Sequence, residues 1–236
     1  GGWNKMAAEE RNRIDAELAR RAAAAIPPAA DPAQALDAAA HEAATSPANS
    51  LPEPTDAQKA AGNYRMGHAT LHGLDITIEN PRGSTRSGTD ADGKAWSVEM
   101  ANHYGYIKRT EGADGDHVDV FIGPKPESTK VFVVDQVDPR TGKYDEHKVL
   151  MGFSSLATAR AGYLANYEQG WKGAGAITPM SMDEFKAWLK EGDTTKPLNP
   201  KVGKPKTEKQ AKAAREAAKA GKVAPSDLPR ERAGLA

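Results

Sequence analysis

The chain has 236 residues, with 32 Lys+Arg against 32 Asp+Glu and no cysteine. That length accommodates one domain of ordinary size with extensions. The zero formal charge gives no sign of a nucleic-acid binder overall, and the missing cysteines exclude disulfides and thiolate metal sites.

Taken in order, Gly1-Gly2-Trp3-Asn4-Lys5 reads as the edge of a piece excised from a larger chain, without a signal-peptide h-region. Residues Met6–Ala25, rich in Ala, Glu and Arg, predict a helix with Ile14 and Leu18 on one side, a Glu17–Arg21 pair, and an end at Pro27-Pro28. Pro27–Pro54 carries few large apolar groups and reads as a linker with a short helix around Ala33–Ala44. Residues 1–56 are thus expected to form an N-terminal extension, 57–195 a folded domain, and 196–236 a basic tail.

Aromatic and β-branched residues begin near Ala57. Ile76-Thr77-Ile78-Glu79 alternates like a strand, and turns follow at Pro81–Ser84 and Asp90–Gly93, the second within a hairpin. Trp96, Val98 and Met100 alternate on one face. Tyr104–Ile107, Val118–Ile122, Val131–Val134 and Val149–Phe153 are further strands. Short strands with Gly and Pro turns predict a mainly β, α+β fold: a small antiparallel barrel with flexible extensions. Two helices close it. One is capped by Ser154 or Ser155 and runs to about Tyr167; the other is opened by the capping-box pattern Ser181–Glu184 and carries Phe185, Trp188 and Leu189. Lys196–Ala236 has eleven Lys/Arg against four Asp/Glu, a net +7. A basic arm of this kind is the one part of the chain that could touch nucleic acid. No apolar run reaches the ~20 residues of a membrane span, so no membrane partner is expected, and nothing in the sequence fixes an oligomeric state.

Asp114, Asp116 and Asp119 place three carboxylates within six residues, with Gly115 between the first two and an apolar run after the third. Acids this close repel one another unless a proton or cation relieves them. Hard divalent ions want such oxygen ligands, whereas a plain Asp-Gly turn before a strand uses the same residues.

Asp114-Gly115-Asp116-His117-Val118-Asp119-Val120 resembles the signature of the soluble family I inorganic pyrophosphatases, Asp-x-Asp-(Pro/Glu)-apolar-Asp-apolar, with His117 as the departure. Asn102–Ile107 is similar to that family's Asn-Tyr-Gly-Tyr/Phe-Ile segment, at the same distance from the acids. Ile78–Gly83 resembles its Glu-x-Pro strand end, and Asp145–Lys148 its acid two residues before a lysine. Asn166-Tyr167-Glu168 resembles its late Tyr-Lys pair, with Glu168 in place of the lysine. The run from Asp145 to Trp171 looks like the branch found inside large phage and mobile-element proteins. The likeness spans roughly Tyr64–Leu189 and implies an OB-like barrel in a cytoplasmic, phage-encoded protein.

The resemblance further implies hydrolysis of inorganic pyrophosphate, or of another small diphosphate such as a nucleotide, with Mg2+ or Mn2+ as cofactor. Asp114 and Asp119 would ligate the activating ions, Glu79 an ion carried by the substrate, and Asp145 or Glu146 would add a further ligand. Spacing to Lys148 favours Glu146, and residue type favours Asp145. Asp116 would take the proton of the attacking water. Lys148, Tyr104 and Tyr167 would hold phosphate oxygens. Arg86 is the expected guanidinium contact, with Arg82, otherwise a solvated turn residue, second. Lys172 is a stand-in for the charge lost at Glu168. The family's other late aspartate has no clear counterpart, Asp135 and Asp138 being the choices. Tyr106 reads as an ordinary half-buried aromatic. His103, His117 and His147 have no His-x-x-x-His spacing to favour a transition metal. A non-catalytic module built on the same scaffold is the alternative from another class.

Overall fold

The structure is a computed structural model that describes residues 31–89 and 93–203, together with Glu10, Arg13, Ile14, Ala16, Glu17 and Arg20. Those six are helical. The rest of the expected Met6–Ala25 helix, the Asp90-Ala91-Asp92 turn and most of the basic tail lie outside the described residues.

The described elements are α1 (Pro32–Ala40), α2 (Asp56–Ala61), β1 (Gly67–Leu71), β2 (Leu74–Asn80), β3 (Thr85–Thr89), β4 (Ala95–Glu99), β5 (His103–Ile107), β6 (Asp119–Ile122), β7 (Lys130–Val137), β8 (Tyr144–Met151), α3 (Leu156–Leu164), β9 (Ala174–Ser181) and α4 (Met182–Glu191). Strands β3 and β4 form a separate hairpin, and the other seven make one sheet in the order β1-β2-β5-β6-β8-β7-β9. Every ladder is antiparallel except β6–β8, which is parallel.

The expected mainly β fold is present, and its strands form a mixed sheet whose edge strands β1 and β9 share no ladder, so no closed barrel is found among the described residues. The reason is visible in the central strands. Residues 131–134 and 149–151 are buried without alternation, as in strands covered on both faces. One face packs Ile76, Ile78, Val120, Val133 and Val149 against Leu36 and Ala40 of α1 and Phe185 of α4. The other packs Phe121, Phe132, Val134 and Leu150 against Met100 and against Ala159 and Tyr163 of α3. Edge strand β9 contains Pro179, which a central strand would not tolerate.

Pro27–Pro54 is not a linker along its described length. Asp31 caps α1 through the Ala33 N–H at 3.0 Å, and Ala40 and Ala43 are fully buried. Small side chains achieve this by close approach. A Cβ on Gly67 would lie 2.6 Å from the Ala39 carbonyl oxygen. Asn49 then ties the following turn to the carbonyls of His41 and Ala43 at 2.8 and 2.7 Å. Ser155 and Ser181 both cap their helices in full capping boxes.

The docking of α1 carries a titratable contact. Asp37 Oδ1 receives the Arg82 guanidinium at 3.0 Å and lies 3.3 Å from His103 Nε2, while the Arg82 N–H donates to His103 Nδ1 at 3.1 Å. Burial lowers His103 to about 4, against the pull of Asp37. A histidine depressed in the fold takes up its proton more readily when unfolded, so stability is complete above about 6.5 and is lost as pH falls towards 4. The full effect is about 3 kcal/mol. Thermal melts at pH 7 and pH 4.5 should show a larger loss in wild type than in His103→Gln; equal losses would remove His103 as the source.

Candidate active site

The parallel β6–β8 ladder sets Asp119 directly beside Lys148, and the β5–β6 ladder sets Tyr106 beside Asp119 and Tyr104 beside Phe121. Since side chains alternate along a strand, Tyr104, Asp119, Glu146 and Lys148 share the face that carries Phe121 and Leu150. Their polar ends meet at the edge of that core. Asp119 Oδ2 accepts the Tyr104 hydroxyl at 2.6 Å and also the Lys148 ammonium. The same ammonium lies 2.7 Å from Glu146 Oε1.

Lys148 is only 3 % exposed. Burial works against its charge, but Asp119 and Glu146 hold it well above the ordinary lysine range. Glu146 is pushed up to about 7 by burial, with Asp119 and Asp145 adding to the effect and Lys148 opposing it. Burial likewise raises the Tyr104 hydroxyl, against Arg86. Its proton is committed to Asp119, so in this structure Tyr104 orients a carboxylate.

The acid loop stands at the N-terminal end of β6. The Gly112 N–H donates to the Asp116 carbonyl at 2.6 Å, and Gly115 turns the chain with φ +83°. The Asp116 N–H donates to Asp114 Oδ1 at 3.0 Å. Desolvation raises the Asp114 carboxyl, and the charges of Asp119 and Asp116 raise it further. The three acids therefore feel one another, as their spacing implied.

Arg86, on β3, lies over the Tyr104 ring at 4.6 Å and the Trp96 ring at 5.5 Å, with its NH2 3.5 Å from the Tyr104 hydroxyl oxygen. The hairpin thus brings Arg86 to the cluster, while Arg82, ahead of β3, pairs with Asp37 of α1. Glu79 is buried at a bulge in β2, on the residue after the core-facing Ile78.

Sequence reasoning missed Gln136. Its amide nitrogen donates to Glu146 Oε1 at 3.1 Å and to Asp145 Oδ2 at 3.3 Å, and its carbonyl oxygen accepts the hydroxyls of Tyr163 and Tyr167 at 2.7 and 2.9 Å. Tyr167 stacks on Trp171 with ring centres 4.5 Å apart, and Trp171 Nε1 donates to the Tyr163 hydroxyl at 2.9 Å. The available signal was the polar pair Asp135-Gln136 breaking the apolar run that begins at Val131. Gln136→Leu leaves two buried hydroxyls without their acceptor and two carboxylates without their donor. A loss of about 2 kcal/mol in denaturant unfolding is expected. An unchanged midpoint would show the network to be dispensable.

The remaining residues lie elsewhere. Asp135 is fully buried, accepts the Leu198 and Asn199 N–H groups at 2.9 and 2.8 Å, and lies 3.1 Å from His147. Asp138 accepts the N–H groups of Arg140 and Thr141 in its own turn. Neither belongs to the cluster. Glu168 and Lys172 are exposed. His103, His117 and His147 occupy three separate places, beside Asp37, on the Thr110 carbonyl and on the Lys196 carbonyl respectively. Among the described residues, no three acid or histidine side chains are gathered closely enough to chelate an ion as they stand. The donor chemistry nevertheless suits a hard cation: Asp114, Asp119 and Glu146 are oxygen donors, and two of these carboxyls are raised by burial and mutual repulsion. No helix among the described residues is long and apolar enough to cross a membrane.

A sequence model of the family described as inorganic pyrophosphatase matches residues 56–190, more than half of the chain. No curated protein matches it.

Proposed function

The chain belongs to the inorganic pyrophosphatase family, and on that premise we propose that it hydrolyses inorganic pyrophosphate to two phosphates at the Asp119–Lys148–Glu146 cluster, with Mg2+ or Mn2+ as cofactor. The observation that carries this reading is the convergence on Asp119 of the Tyr104 hydroxyl and the Lys148 ammonium, below a loop with two more aspartates. The kinship with domains inside phage and mobile-element proteins is a finer part of the same proposal.

Asp114, Asp119 and Glu146 would hold the ion, with Asp145 and Glu79 as further oxygen donors. When bound, it neutralises phosphate oxygens and makes water more acidic. The chain supplies the remainder. Asp116 takes a proton from the attacking water as its oxygen bonds phosphorus and the bridging P–O bond breaks. Lys148 meets the charge on the departing phosphate, and Arg86 presents a planar fork to the other. The hydroxyls of Tyr104 and Tyr167, now given to Asp119 and Gln136, turn to phosphate oxygens or keep those two residues in place.

The test is phosphate release from pyrophosphate with Mg2+, with chelator, and with Mg2+ restored. Activity that disappears with chelator and returns with the ion is expected. A rate at background under all three conditions would leave the scaffold reading instead.

A further inference from the structure

A cavity of about 450 Å³ opens on the same sheet face as the acid cluster. Thr77 and Tyr106, cross-strand partners on β2 and β5, form its floor. Tyr64 and Met66 wall it, and Arg65 and Lys108 bring two cations to it. Glu42, the one acid there, is engaged by Arg65 at 2.8 Å.

This cavity is joined to the acid loop through a single ring. Tyr106 is the register partner of Asp119, and its ring lies 4.9 Å from that of His117. His117 is the position at which the acid signature departs from its family pattern, and its Nδ1 is hydrogen-bonded with the Thr110 carbonyl at 2.7 Å. The volume falls within the range of small-molecule sites, and two phenol rings and a thioether stand among charged and polar side chains in its lining. Inorganic pyrophosphate has no part that would fill two tyrosines and a methionine. A planar aromatic group would, because every nucleobase has a face that stacks on a phenol ring.

We infer that the cavity receives the base of a nucleoside diphosphate whose phosphates lie on the acid cluster, an inference that rests on the phosphohydrolase reading above. Tyr64 and Tyr106 take the base, and Lys108 and Arg65 face the negative charge near the sugar. In the reaction, water oxygen bonds the terminal phosphorus and the bridging P–O bond breaks. The nucleoside monophosphate leaves with the bridging oxygen, and the proton taken by Asp116 passes to solvent. No other reactant is required.

Phosphate release is measured from pyrophosphate and from ADP, in wild type, Tyr64→Ala and Lys108→Ala. Wild type is expected to cleave both. Tyr64→Ala is expected to lose on the order of tenfold in kcat/KM for ADP, the scale of one lost stacking contact, with pyrophosphate unchanged. Lys108→Ala is expected to fall in the same direction. Cleavage of pyrophosphate but not ADP overturns the inference and spares the family reading, and so does an equal loss for both substrates in both variants. If wild type cleaves neither, the phosphohydrolase reading falls, and calorimetric titration with AMP decides the cavity. Binding that Tyr64→Ala weakens supports it, and absence of binding overturns it.

Discussion

Asp119→Asn is expected to bring phosphate release to background and to lower folding stability by about 3 kcal/mol, at the low end for a broken buried ion pair. Asp119 Oδ2 is shared by the Tyr104 hydroxyl and the Lys148 ammonium. An amide oxygen still accepts the phenol, so the loss falls on the ammonium, which is buried and loses one of its two carboxylates. Glu146 remains as a partner, which keeps the cost at the lower end. With the like charge at 119 removed, the Glu146 carboxyl, now pushed up to about 7, should fall back towards the ordinary range. Denaturant unfolding of Asp119→Asn, Lys148→Met and the double variant completes a cycle. Additive losses would mean that the pair is not coupled, and a variant as active as wild type would remove Asp119 from the site.

Asp116→Asn should leave the fold intact and reduce kcat by about 10²–10⁴, the usual contribution of a positioned general base. The loop geometry depends on the Asp116 backbone, through the Asp114 carboxylate and the Gly112 N–H, and an amide preserves both. The capacity to take a proton is removed, together with the charge that raises Asp114. KM should move little, since the cation and phosphate groups assigned to Asp119, Lys148 and Arg86 are untouched. Thermal midpoint and kcat measured on the same preparation separate the roles. An unchanged kcat would deny Asp116 the proton, whereas a lowered midpoint would make it a structural residue of the turn.

The legible part of this molecule was its local chemistry. Tyr104, Asp119, Glu146 and Lys148 were singled out because their residue types recur in one order, and the fold gathers the same four around one ammonium. The choice between Asp145 and Glu146 was open in sequence. In space Glu146 touches Lys148, and Gln136 reaches both acids. Gln136 itself was invisible, because an amide beside Asp135 at the end of an apolar run has no partner spacing to betray it. The global path was less legible. The apolar runs 118–122, 131–134 and 149–153 announced strands, but not that both faces would be covered or that β1 and β9 would share no ladder. Strand β9 was hidden by Gly175 and Pro179, residues that weaken a strand pattern. Helix α1 answers to the short helix expected around Ala33–Ala44, but its docking was hidden by its alanines, whose burial depends on the bare backbone of Gly67 and not on any bulk of their own.

The parallel β6–β8 pairing also bears on how the protein is made. Asp119 emerges from the ribosome 29 positions before Lys148, and β7 must turn back along β8 before the two can meet. A nascent chain that has emerged only through Val137 holds its acid loop beside an uncovered strand edge, with no cation to quiet it and a bare ladder that invites a neighbour. The ladder that covers this edge also completes the cluster.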